Sequence, residues 1–170
     1  NRCRRQRQMC IRDRPNSVTA IQSKAFKDCT SLASITIADS VTSIGSLAFE
    51  DCSSLTSIRL SESLSTIESR TFKDCTRLEN ITIPDSVIVI EPYAFNRCSN
   101  LASITIPENV TTIGEYAFEG CSSLTDIVIS YGLPAINDFA FSNCTALTYI
   151  SDSYTQLRAH ETHYNLVSRL

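Results

Sequence analysis

Cysteine and histidine are the residues of this 170-residue chain best suited to nucleophilic or metal chemistry, and it carries eight of the first and two of the second. Six cysteines (Cys29, Cys52, Cys75, Cys98, Cys121 and Cys144) recur every 23 residues, while Cys3 and Cys10 stand apart. Eight cysteines in a short chain invite a disulfide framework, but the period argues for another state. Thiols in one column of stacked coils lie about 4.7–4.9 Å apart, whereas a disulfide wants Cβ atoms roughly 3.5–4.5 Å apart. The expectation is a column of buried, reduced thiols acting as small apolar groups. No C-x-x-C pair supports zinc. His160 and His163, in HETHY, are three apart, but HETH is not H-E-x-x-H and no third ligand beyond Glu161 is evident. A solvated tail is the better account of them. The repeats hold no histidine, so no Ser or Cys there has an imidazole base for a triad. Phosphate-cradling glycine loops are absent and the carboxylates do not converge. No enzyme activity, cofactor or metal is expected.

The elements that position these groups follow from self-similarity at a fixed period. Phe26, Phe49, Phe72, Phe95, Phe118 and Phe141 are always 23 apart, with Cys three later, Leu three after that (Leu32 to Leu147) and Ile a further three on (Ile35 to Ile150). Further columns run Ile37, Leu60, Ile83, Ile106, Ile129, then Val18 to Leu133, then Ile21 to Ile136. Residues 103–106 (SITI) alternate as a strand, with Ile104 and Ile106 inward and Ser103 and Thr105 outward. Val110 and Ile113 then turn inward. From Gly114 through Ala117 and Phe118 the spacing predicts a short helical or 3₁₀ piece, which Cys121 closes. A unit of 23 residues cannot enclose a core alone, so each must stack on its neighbours. The expected fold is an α/β repeat solenoid: a right-handed coil with a parallel sheet on one face and short helical or 3₁₀ turns on the other.

The pattern A-F-x-x-C-x-x-L-x-x-I-x-I-P-x-x-V-x-x-I-G resembles the BspA-like class of leucine-rich repeats, and IPENVTTIGEYAFEGCSSLTDI (residues 106–127) is a close match. The resemblance covers residues 15 to about 150. Glu68, Glu91 and Asn137 replace its Gly, and Ala38, Ser61 and Ser130 its Pro, all at turns. It implies a recognition scaffold of the kind found on bacterial and protist surfaces, with protein or glycan partners, and no chemistry.

The ends fall outside the repeat. Residues 1–14 fit no column and hold six arginines, Arg2, Arg4, Arg5, Arg7, Arg12 and Arg14. They read either as a basic arm or, more simply, as a non-native tail, because MCIRDR (residues 9–14) is similar to a translated sequencing adapter. Residues 15–170 then carry nine basic and seventeen acidic residues, a net charge of −8, which argues against a nucleic-acid partner. A start without Met suggests a fragment lacking upstream repeats and any signal peptide. Residues 151–170 would be a polar cap or a tail, since Asp152 interrupts the apolar column. The domain plan is therefore a tail at 1–14, six repeats over 15–150 and a cap or tail at 151–170. With 42% apolar and 19% charged residues, the chain is neither disordered nor membrane-embedded, and no apolar run reaches the roughly 18 residues of a membrane span.

What remains is surface. Outward strand positions pair as Ser34/Thr36, Ser57/Arg59, Asn80/Thr82, Ser103/Thr105, Asp126/Val128 and Tyr149/Ser151. From this face Arg59, Asp126, Tyr149, Thr82 and Thr105 are the candidate partner-binding residues; the plain alternative is that they are merely soluble strand positions. Tyr93, Tyr116 and Phe139 form a second patch in one column on the other side. The main expectation is a non-catalytic recognition scaffold, a fragment of a surface or adhesion-type protein. A spacer without its own ligand is the next reading. Ice or mineral binding through Thr36, Thr82 and Thr105 comes last, because Arg59 and Asp126 interrupt that array.

Overall fold

The computed structural model describes residues 17–129 and 135–152. The expectations for residues 1–14, for the start at Pro15, for Cys3 and Cys10, for the apolar column at Leu133 and for His160 and His163 lie outside these residues. So does nearly all of the 151–170 segment.

Short parallel strands recur twice in each coil. One column holds β1 (Ala20–Ile21), β3 (Ser43–Ile44), β5 (Thr66–Ile67), β7 (Val89–Ile90), β9 (Thr112–Ile113) and β11 (Ala135–Ile136). The other holds β2 (Ser34–Thr36), β4 (Ser57–Arg59), β6 (Asn80–Ile81), β8 (Ser103–Ile106), β10 (Asp126–Ile129) and β12 (Tyr149–Asp152). Every pairing joins residues 23 apart, as in Ile104 to Ile127 to Ile150, so the sequence period is the strand register. Inward Ile side chains fill the interior, and Ile58, Ile81, Ile104 and Ile127 are buried while their neighbours Ser57, Asn80, Ser103 and Asp126 face water. That is the two-residue alternation expected of a half-buried strand. Neither column is continuous: ladders run β2-β4-β6 and β8-β10-β12 on one side, β1-β3 and β5-β7-β9-β11 on the other.

The third side corrects the expected helical or 3₁₀ face, and with it the α/β class: no helix occurs among the described residues. The reason lies in the backbone. Lys24, Leu47, Arg70, Tyr93, Tyr116 and Phe139 all have φ between 56° and 62°, and the same left-handed conformation returns four residues on, at Asp28, Asp51, Asp74, Arg97, Gly120 and Asn143. Such residues break any helix. They also turn alternate N–H groups toward the next coil. Lys24, Phe26 and Asp28 donate to the carbonyls of Ser46, Ala48 and Glu50 at 2.8–3.1 Å, while Ala25, Lys27 and Cys29 donate back along their own coil. A left-handed non-glycine residue costs about 1–2 kcal/mol, which these cross-coil bonds offset.

Under the turns runs the heart of the core. Phe49, Phe72, Phe95 and Phe118 are wholly buried, and the six rings from Phe26 to Phe141 stack at 5.0–5.6 Å. Each buried Phe, Leu or Ile contributes roughly 1.5–3 kcal/mol. The Ala before each Phe lets the turn close against the stack. Where Thr71 replaces it, the buried hydroxyl donates to the carbonyl of Glu68 at 2.7 Å. Gly114 serves a close approach, for a Cβ there would stand 2.5 Å from the backbone nitrogen of Pro92.

Candidate recognition surfaces

The thiol column is built as a ladder rather than as a reactive site. Cys52, Cys75, Cys98, Cys121 and Cys144 are free, and each Sγ donates to the carbonyl of the Phe 26 residues before it, at 3.1–3.3 Å. Those carbonyls already accept the N–H of the Cys in their own coil, so both lone pairs are used. Burial pushes the Cys52 thiol up to about 12 and that of Cys144 to about 11, and drives Cys75, Cys98 and Cys121 well up too. The nucleophilic thiolate is thereby suppressed. Cys29 departs from the sequence expectation: it is disulfide-bonded, so the reduced column comprises the five later cysteines. No group of three or more His, Cys, Asp or Glu that could hold a metal occurs among the described residues.

The strand face presents the outward rows as expected, with Ser34, Thr36, Ser57, Arg59, Asn80, Thr82, Ser103, Thr105 and Asp126 all exposed. It does not bring the candidate residues into one cluster. Arg59 is committed within its own neighbourhood: its Nη2 meets both carboxylate oxygens of Asp39 at 3.1 Å, and Nη1 donates to the carbonyl of Ile37 at 3.3 Å. The guanidinium, helped by the N–H of Glu62, holds the Asp39 carboxyl below its ordinary range. Asp126 lies three coils away, opposite Tyr149 in the β10–β12 ladder, and accepts the hydroxyl of Thr125 at 2.7 Å. Tyr149 is placed by its backbone in β12; its side chain lies outside the described residues.

Thr82 and Thr105 flank the break between β6 and β8. There the face carries a shallow depression of about 630 Å³, lined by Asn80, Asp85, Ser103 and Pro107 as well as the two threonines. Sequence reading named the threonines and missed the depression, because nothing in the residue types of β6 marks where the ladder stops.

The turn side carries two more rows. In the first, Lys27, Glu50 and Lys73 alternate in charge across successive coils, with Glu50 buried; Lys27 pairs with Glu50, Lys73 reaches it at 3.6 Å and also pairs with Asp74. The hydrogen bond to Glu50 raises the Lys27 ammonium above its ordinary range. In the second row Tyr93, Tyr116 and Phe139 stack at 5.1 and 5.2 Å, and the guanidinium of Arg70 lies 5.0 Å from the Tyr93 ring centre.

A six-copy match to the BspA type leucine rich repeat region extends over residues 11–91 and 66–160, the two stretches overlapping across the middle of the chain. The chain belongs to this family. No curated protein matches the sequence. Among solved structures, a leucine-rich repeat protein of Treponema pallidum is 29% identical with a TM-score of 0.73, over 80% of this chain and 64% of its own. One from Bacteroides ovatus is 30% identical with a TM-score of 0.64, over 79% and 41%. A leucine rich cell surface protein of Faecalibacterium prausnitzii is 32% identical with a TM-score of 0.61, over 79% and 43%. The chain thus spans 41–64% of the length of these leucine-rich repeat proteins. No helix among the described residues is long and apolar enough to cross a membrane.

Proposed function

We propose that this BspA-type segment is a non-catalytic recognition scaffold whose strand face binds a protein or glycan partner, within a longer surface protein. The observation that supports the reading is the depression at the break between β6 and β8, set in an exposed row of hydroxyl and amide groups. Solenoids bind through extended faces of this kind. Hydroxyls, Asn80 and Asp85 supply donors and acceptors suited to sugar hydroxyls or a peptide backbone. The name of the Faecalibacterium relative supports a surface location.

A glycan array, together with cross-linking of the whole protein on cells, supplies the test. Changing Thr82 and Thr105 to Lys fills the depression while leaving the residues of the buried Ile columns unaltered, and any partner captured by the unaltered protein is then lost. The combined change of Arg59, Asp126 and Tyr149 to Ser weakens capture less, because these groups lie apart. Capture that survives both, or that persists when residues 15–150 are deleted from the whole protein, overturns the reading and leaves the segment a spacer.

A further inference from the structure

The ring row on the turn side is a second surface, and its chemistry is different. Each face of Tyr116 is covered by a neighbouring ring, and Tyr93 is covered by Tyr116 on one side and the Arg70 guanidinium on the other. Phe139, at the far end, is 50% exposed. Among the described residues its only ring partner is Tyr116 and no cation lies over it. An aromatic face carries negative charge density and attracts a cation within about 6 Å of the centroid. The protein already uses that attraction at the Tyr93 end.

Charge around the row points the same way. Residues 98–152 contain no Lys, Arg or His, yet hold six carboxylates, Glu108, Glu115, Glu119, Asp126, Asp138 and Asp152. All ion pairs among the described residues fall between Lys27 and Arg97. Glu115 and Asp138 immediately precede Tyr116 and Phe139 and are exposed, and Glu119 follows three residues after Tyr116. Partial burial first, then the Tyr93 hydroxyl and these three carboxylates, raise the Tyr116 hydroxyl above its ordinary range. The row therefore ends in an open aromatic face with anionic groups beside it.

We propose that this row docks an arginine-bearing basic peptide segment of a partner protein: one guanidinium seats on the open face of Phe139, as Arg70 seats on Tyr93, and neighbouring cations pair with Asp138, Glu115 and Glu119. Arginine suits the site better than lysine, because its planar group both stacks on a ring and meets carboxylates in a two-pronged geometry. The site is separate from the strand face, so each reading can fail alone.

Calorimetric titration of the whole chain with an oligo-arginine peptide and an oligo-lysine peptide of equal length, at low and at physiological ionic strength, tests this. Oligo-arginine binds more tightly than oligo-lysine. Phe139→Asn, which keeps a residue tolerant of the left-handed backbone, weakens it by about two- to fivefold, as for an exposed cation–ring contact. The double change Glu115→Gln with Asp138→Asn weakens it further and flattens its dependence on salt. The double change Glu79→Gln with Glu108→Gln removes the same charge elsewhere and leaves binding near the starting value. Absence of oligo-arginine binding overturns the proposal. So does equal binding of the two peptides, indifference to Phe139→Asn, or an equal loss in the Glu79 and Glu108 control. The strand-face changes Thr82→Lys and Thr105→Lys lie outside the row, and oligo-arginine binding reduced to the same degree by them and by Phe139→Asn also counts against it.

Discussion

The turn side and the strand sides of this solenoid are made by the same coils, yet they hold those coils together in different ways. On the turn side every step from one coil to the next is crossed by three backbone hydrogen bonds, one thiol bond and one stacked phenylalanine pair, with no interruption from Phe26 to Cys144. On the strand sides the ladders stop between β6 and β8 and between β3 and β5. The inward isoleucines on either side of the first break, Ile81 and Ile104, stay buried regardless. The turns are thus the spine, and the strands are free to part locally and form a depression.

The largest effect that tests this contrast is in the ring stack. Phe95, wholly buried between Phe72 and Phe118, should cost about 3–5 kcal/mol on truncation to Ala, as large core deletions do. Phe26 is half-buried with the single ring neighbour Phe49, so the same change there should cost clearly less. Equal losses at both sites in urea melts would break the picture of a cooperative stack.

A smaller effect should appear at alkaline pH. Folding raises the pKa of the five free thiols, so their contribution is full below the ordinary thiol value of about 8.5 and fades as pH climbs toward the folded values near 11–12. Between these limits the unfolded chain loses protons that the folded chain keeps, and stability should fall by up to about 1.4 kcal/mol per thiol per pH unit. Urea midpoints at pH 8 and pH 10 measure the drop, and Cys98→Ala should reduce its slope. A midpoint that does not move with pH would show that the thiols are accessible.

The smallest effect belongs to the strand side. Arg59 and Asp39 are exposed, and exposed pairs of this kind contribute little. Asp39→Asn should leave the melting temperature unchanged. A measurable fall would mean that charge pairs on the strand face help to hold the coils, against the contrast drawn above.

Legibility followed burial. Phe49, Leu55, Ile58 and Val41 occupy columns because each coil must hide the same positions, and a period of that kind is written in residue types. The turns were not legible, because Lys24, Leu47, Arg70 and Tyr93 carry no sign of a left-handed backbone, which most sequences reserve for Gly or Asn. Their conformation is imposed by the next coil's carbonyls, a partner 22 residues away. The same limit applied at the surface. Arg59 could be placed facing outward, but its capture by Asp39 is a contact between coils. The Cys29 disulfide likewise depends on neighbours that period alone does not specify.

The left-handed turns have one more consequence. Because Lys24, Phe26, Asp28 and their counterparts all donate forward and none donates backward across the coil boundary, their peptide dipoles, about 3.5 D each, add along the solenoid axis. On the strand sides the bonds beside the ladders run the other way: Thr42, Gly45, Thr56, Glu79, Ile88 and Glu91 donate back to the preceding coil. The turn side is therefore polarised along the axis, positive toward the Phe139 turn, and the strand sides oppose it. That is the half in which residues 98–152 carry acids and no bases. Acidic residues sit favourably at that positive end, as they do at the first turn of a helix. Such turns have a grammar of assembly: each joins the next only donor end to acceptor end, so this side of the stack has a single reading direction.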